Sequence, residues 1–181
     1  MELYEKTLES QIIYDGSFIS LKVDKVLLPD GKTSHRAIVV HSGAAVVVPV
    51  DDEENVILIR QFRKPIEKVI VELPAGKLDK DEEPLECAKR ELEEETGYSA
   101  KEFVKLTEIY TTPGFSNEVI HVYLARGLEQ GSSHTDIDEF VEVFKVGLDD
   151  AIKMVKNGEI KDAKTIIGLL LAKMYLRGEW I

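Results

Sequence analysis

Residues 84–98 read Pro84-Leu85-Glu86-Cys87-Ala88-Lys89-Arg90-Glu91-Leu92-Glu93-Glu94-Glu95-Thr96-Gly97-Tyr98, and this stretch decides the fold. Pro84 suits a first helical turn, where its missing N–H is harmless. Gly97 suits the place just past a helix, where a positive φ is needed. The two predict a helix over 84–96. Leu85, Ala88 and Leu92 stand at i, i+3 and i+7 and form its apolar stripe. At about 100° per residue, Glu91, Glu94 and Glu95 share one face. That face borders the apolar stripe instead of opposing it. A run of glutamates is ordinarily a solvated surface. Here like charges at i, i+4 repel by about a few tenths of a kcal/mol, and a cation between them would offset that. Clustered carboxylates are hard oxygen donors, the type Mg²⁺ or Mn²⁺ prefers. Arg90 stands four residues before Glu94, which allows it to hold that carboxylate in orientation.

Upstream of the helix, Leu73-Pro74-Ala75-Gly76 ends an apolar segment, and Gly76 is expected to open a loop reaching Glu82. Glycine there permits a tight turn and close approach of a ligand to the backbone. Further back, Ala44-Ala45-Val46-Val47-Val48-Pro49-Val50 reads as a strand buried on both faces. Val56–Arg63 reads as the next strand, turning polar at its end. Residues 11–41 read as strands, with a hairpin over 18–23 and 36–40 around the turn Pro29-Asp30-Gly31-Lys32. Ile12, Ile13, Val26 and Leu27 are expected to be exposed and in need of a partner surface. Downstream, Val119–Ala125 and Glu142–Val146 read as strands, and Asp149–Lys156 and Ala163–Leu176 as helices. Strands and helices in this order predict an α/β fold with helices on both sides of a sheet.

Composition excludes several classes. The 181 residues carry 34 acidic and 23 basic side chains, a formal net charge of -11. Such a chain repels nucleic acid and anionic membranes. With 44% hydrophobic and 31% charged residues it has the material for an ordinary core. Cys87 is the single cysteine, so no disulfide forms within the chain, and a packing thiol is expected there. No signal peptide and no membrane span are expected, which makes the cytoplasm the default location. His35, His41, His121 and His134 show no metal-ligand spacing. No serine-nucleophile motif or Walker loop occurs.

Taken together, the fixed positions form one pattern. Gly76, five residues, Glu82, seven residues, Arg90-Glu91-Leu92, one residue, Glu94-Glu95, one residue, Gly97 and the large Tyr98 span residues 76–98. This resembles the Nudix box of the Nudix hydrolases; the last position, usually aliphatic, is Tyr98 here. Pro113, sixteen residues after Gly97, is similar to the mark of the ADP-ribose pyrophosphatase subgroup. The segments Arg60-Gln61-Phe62-Arg63 and Glu72-Leu73-Pro74-Ala75-Gly76, and strands ahead of the box, resemble the same group.

The resemblance implies an α/β/α sandwich around a mixed sheet, residues 42–181, with a small N-terminal antiparallel sheet, residues 1–41, that pairs two chains as a homodimer. It implies Mg²⁺-dependent hydrolysis of ADP-ribose to AMP and ribose 5-phosphate, with Mn²⁺ as the alternative metal. The ligands it implies are Glu91, Glu95, the backbone carbonyl of Ala75, and Glu94, with Glu82 as an outer or structural residue. Substrate contacts fall on Phe18, Arg36, Arg63, Lys77 and Pro113. In the subgroup a glutamate often follows the residue corresponding to Arg36, whereas Ala37 follows here. The catalytic base is implied in a late loop, where Asp136, Asp138 and Glu139 are the candidates, Asp138 also serving as a possible metal ligand and Glu94 remaining a catalytic candidate in the box. Two alternatives stay open: another nucleoside diphosphate derivative as substrate, or a Nudix domain that senses nucleotides without cleaving them.

Overall fold

The computed structural model describes residues 3–131 and 140–180. The chain divides into two compact units, one of residues 1–43 with 110–119, the other of residues 44–109 with 120–181.

In the first unit, β1 (Lys6–Asp15), β2 (Ile19–Leu27) and β3 (Thr33–His41) form an antiparallel sheet in that order. The hairpin register runs from Ile19 opposite His41 to Leu27 opposite Thr33. β1 begins well before residue 11, and all ten of its residues are exposed. Ile12 and Ile13 are 65% and 53% exposed. Val26 departs from expectation: it is buried at 4%. It shares a face of β2 with the buried Asp24, whose carboxylate takes Ser10 Oγ at 2.6 Å and Lys22 Nζ at 2.9 Å. The segment 110–119 is tied to β3 by Val39 N–H donating to Phe115 O at 2.8 Å and Asn117 N–H to Val39 O at 3.3 Å.

The second unit is built on β4 (Ala44–Pro49), whose residues are all buried. Burying one valine side chain contributes about 1.5–3 kcal/mol relative to leaving it in water, so Val46, Val47 and Val48 form a strong nucleus. β4 pairs antiparallel with β7 (Ala75–Lys77) and parallel with β9 (Val119–Gln130). With β8 (Tyr98–Tyr110) this gives a mixed sheet in the order β7-β4-β9-β8. A second, antiparallel sheet has the order β10-β5-β6, from β5 (Asn55–Arg63), β6 (Lys68–Glu72) and β10 (Val141–Gly147).

Strand alternation sends Ala45 and Val47 to one side, against α1 (Pro84–Thr96). Val46 and Val48 go to the other, against α2 (Leu148–Asn157) and α3 (Ala163–Leu176). Helices therefore cover both faces, as an α/β/α sandwich requires. α3 lies close because residue 168 is glycine: a Cβ there would meet Leu73 Cδ1 at 2.7 Å and Val48 Cγ2 at 3.1 Å. α1 starts at Pro84 and ends at Gly97, which has φ 73° and donates to Glu93 O at 2.8 Å. Two elements differ from expectation. Gly76 lies in the short strand β7 and not in a loop. Residues 98–110, unassigned from sequence, form the edge strand β8.

Candidate functional site

α1 carries the site because its carboxylate face turns inward. Cys87, Ala88 and Leu92 are wholly buried, and the next positions around the helix, Glu91 and Glu95, are only 8% and 2% exposed. Glu94 lies further out, half-buried. Two carboxylates this deep are costly unless something compensates their charge.

Arg90 supplies part of that compensation. Its Nε and Nη2 donate to the two oxygens of Glu82 at 2.9 and 3.0 Å. Its Nη1 donates to Glu91 Oε1 at 2.7 Å and to Glu94 Oε2 at 2.9 Å. A fifth bond runs from Nη2 to the carbonyl of Lys77 at 3.1 Å. Hydrogen bonding to Glu82, ahead of the opposing effect of burial, holds the Arg90 guanidinium far above its ordinary value, with Glu91 and Glu94 adding to it. The same bond holds the Glu82 carboxyl below the usual range. Glu82 also accepts from Asp79 N–H at 2.9 Å, which closes the loop ahead of the helix. One guanidinium thus orients three box carboxylates, and a planar fork of donors is the group suited to that task.

The strand side of the site is built by β7. A Cβ on Gly76 would run into the Glu91 carboxylate, so only glycine lets that side chain lie on the strand. One residue earlier, Ala75 N–H donates to Glu95 Oε2 at 2.9 Å. Among the described residues, no group of three or more His, Cys, Asp or Glu stands at metal-holding spacing. The donor chemistry nevertheless fits a hard divalent cation: Glu91 and Glu95 are buried carboxylates one helical turn apart, beside the backbone of Ala75 and Gly76. Cys87 is not part of this chemistry. Its Sγ lies against the carbonyls of Lys77 and Gly76 at 3.3 and 3.6 Å. Burial first, then the charges of Glu82 and Glu91, push its pKa up to about 12, so it stays a thiol.

Arg63, at the end of β5, meets Glu72, at the end of β6. Its Nε donates to Oε2 at 2.7 Å and its Nη2 to Oε1 at 3.2 Å. Burial opposes its charge, but Glu72 more than offsets this, with Glu95 and Asp162 contributing, and the guanidinium is held above its ordinary value. Glu72 is 1% exposed and also takes the ammonium of Lys164. Sequence reasoning gave neither Glu72 nor Lys164 a role. The only local signal is a carboxylate between Val71 and Leu73, where an apolar run would otherwise continue.

Lys77 has an exposed side chain, and its carbonyl is the group that takes Arg90 and Cys87. In the first unit, Arg36 makes a two-point ion pair with Glu5, Nε to Oε2 at 2.9 Å and Nη2 to Oε1 at 2.6 Å. A carboxylate does accompany Arg36, but it comes from Glu5 and not from residue 37. Phe18 is 54% exposed just ahead of β2, and Pro113 is exposed in the segment tied to β3. Asp136, Asp138 and Glu139, like His134, lie outside the described residues. His41 accepts from Gly43 N–H at 3.0 Å, His35 is exposed, and burial lowers the pKa of His121. No described helix is long and apolar enough to cross a membrane.

Comparison with known proteins agrees with this geometry. Residues 40–167 match the family described as NUDIX domain, and residues 5–39 match the one described as nucleoside diphosphate sugar hydrolase N-terminal domain. The chain is 53% identical over 165 residues to an ADP-ribose pyrophosphatase of Bacillus subtilis (strain 168), covering 90% of this chain and 89% of the relative. It is 45% identical to a methanol dehydrogenase activator of Bacillus methanolicus, covering 91% and 90%. A crystal structure of an ADP compounds hydrolase superposes with a TM-score of 0.87 over 99% of this chain and 98% of that one. At 20% identity, that likeness speaks for the fold alone.

Proposed function

The chain belongs to the NUDIX domain family, and from that premise we propose that it is a Mg²⁺-dependent hydrolase that splits ADP-ribose into AMP and ribose 5-phosphate. The observation that carries the reading is the buried pair Glu91 and Glu95, seated on the backbone of Ala75 and Gly76. Two anionic side chains are kept from water there at a cost that a bound cation would offset.

The reaction adds water to one phosphorus and breaks its bond to the bridging oxygen, which leaves with the other phosphate. The difficulty is twofold: the diphosphate repels nucleophiles, and neutral water is a weak one. Glu91, Glu95 and the Ala75 carbonyl would hold the cation, with Glu94 at the rim. The chemistry a divalent cation supplies when bound is neutralisation of phosphate charge and a more acidic water. Arg90 fixes the Glu91 and Glu94 carboxylates in place. Arg63, half-exposed and in the field of Glu95, is the group for the diphosphate, since a guanidinium matches phosphate oxygens two at a time. Phe18, Arg36, Lys77 and Pro113 remain the further substrate contacts, and one of Asp136, Asp138 and Glu139 accepts the proton that the water loses.

The functional unit we infer is a homodimer. A three-stranded sheet whose first strand is exposed throughout has little with which to stand alone, and Leu8, Ile12 and Ile13 give it an apolar surface for a second copy. One observation favours a second substrate class. The match of residues 5–39 to a nucleoside diphosphate sugar hydrolase domain points to a nucleoside diphosphate sugar in the same cleavage.

Turnover of ADP-ribose, nucleoside diphosphate sugars and dinucleoside polyphosphates with Mg²⁺, products resolved by chromatography, tests the assignment. The highest kcat/KM on ADP-ribose with stoichiometric AMP is the expected result. A higher value on a sugar nucleotide favours the second reading. Binding of these compounds without cleavage of any would leave a sensing domain.

A further inference from the structure

Arg63 belongs to a larger ionic set that spans three elements. Glu72, at the end of β6, takes both Arg63 and Lys164, and Lys164 also donates to Asp162 Oδ2 at 3.0 Å. Asp162 caps α3, accepting from Thr165 N–H at 3.0 Å and from Thr165 Oγ1 at 2.7 Å. Thr165 Oγ1 in turn accepts from Leu73 N–H at 2.9 Å.

Two features argue against a set kept for stability alone. Lys164 stands in the first turn of α3, the positive end of a helix, where a cation is disfavoured. Buried ion pairs, moreover, rarely stabilise a fold more than apolar residues of the same volume. The set is also graded toward solvent: the Glu72 side chain is 2% exposed, Lys164 12% and Arg63 39%. Lys164 engages Oε1 of Glu72, the oxygen on which Arg63 has its longer bond, so Arg63 is gripped mainly through Nε.

The set is anchored to the segment that leads from β6 into β7. Leu73 N–H goes to α3, Pro74 O takes Val47 N–H at 2.9 Å, and Ala75 N–H goes to Glu95. Residues 72–75 thus fix Arg63 and Glu95 in one frame.

We propose that Glu72 and Lys164 are positioning residues that hold the Arg63 guanidinium beside the box carboxylates, where it meets the substrate's diphosphate. This rests on the reading of Arg63 as the diphosphate contact. Neither residue touches substrate; both act through Arg63.

The test is a double-mutant cycle in steady-state kinetics on ADP-ribose with Mg²⁺, each variant also followed by thermal melt. Lys164→Met is expected to raise KM about tenfold with kcat within about twofold, the signature of lost binding through one charge-assisted contact. Lys164→Arg is expected to restore most of the KM. In an Arg63→Ala background, Lys164→Met is expected to leave KM where Arg63→Ala put it. Should Lys164→Met not fold, Lys164→Gln keeps a donor to Glu72 without the charge and serves the same cycle. A lowered melting temperature with unchanged KM, or an equal KM rise in both backgrounds, overturns the positioning role. An unmodified protein that cleaves no ADP-ribose overturns the functional reading instead, a result visible before any variant is compared.

Discussion

The backbone N–H of Ala75 donates to Oε2 of Glu95 at 2.9 Å, joining the first residue of β7 to the last turn of α1. This bond explains why a carboxylate can sit there 2% exposed. An N–H aimed at a buried carboxylate gives it a hydrogen-bond partner in place of water and offsets part of the cost of its burial. Gly76 does the complementary thing for Glu91, leaving room where any side chain would collide. Helix and strand therefore make one site, and disturbing either disturbs both.

The base is sought among Asp136, Asp138 and Glu139. Asp136→Asn, Asp138→Asn and Glu139→Gln are to be assayed separately across pH. At least one is expected to lose roughly 10²- to 10⁴-fold in kcat while ADP-ribose still binds. Normal turnover in all three would return the role to a box glutamate such as Glu94.

Cys87 predicts an alkaline effect. Its folded pKa, about 12, lies above the ordinary 9.0. Below pH 9 the thiol is neutral in both states and contributes no pH dependence. Above pH 9 the unfolded chain loses this proton and the folded one keeps it, so stability falls by about 1.4 kcal/mol per pH unit toward pH 12. Denaturant melts at pH 8 and pH 10.5 should show a smaller loss for Cys87→Ala than for the unmodified protein. The native thiol should also resist alkylation at pH 8 and react on unfolding. Rapid native labelling would contradict the burial.

How far the sequence alone reaches can be seen in particular elements. Helix α1 was legible to its ends because Pro84 and Gly97 punctuate it and its apolar stripe repeats at helical spacing. β4 was legible because its two alanines and three consecutive valines, closed by Pro49, leave little else to form. β8 was not: Lys101, Glu102, Lys105 and Glu108 interrupt its alternation, as an edge strand allows. β7 is three residues long, too short for a period, so Gly76 looked like a loop residue. Box carboxylates and Arg90 sit close in sequence and could be found by spacing. Glu72 and Lys164 are 92 positions apart, and Glu5 and Arg36 are 31 apart, so no local pattern announces either pair.

Dimerisation is tested by light scattering. The chain has a mass of 20.4 kDa, and a particle of about twice that is expected at micromolar concentration. Ile12→Lys with Ile13→Lys places charge on the exposed face of β1 and is expected to shift the particle toward a single chain. A fully active single chain would contradict the homodimer as the functional unit.

The central claim is that buried box carboxylates make this protein a metal-dependent hydrolase of ADP-ribose. Its most direct test is AMP release from ADP-ribose by the unmodified protein and by Glu95→Gln, each with saturating Mg²⁺ and with excess chelator. The substitution keeps the volume and removes the charge. The expected result is AMP and ribose 5-phosphate in equal amounts from the unmodified protein with Mg²⁺ and none with chelator. Glu95→Gln should be slower by roughly 10²-fold or more, with a melting curve close to that of the parent. Full turnover in Glu95→Gln, or AMP release that chelator leaves unchanged, would contradict the account.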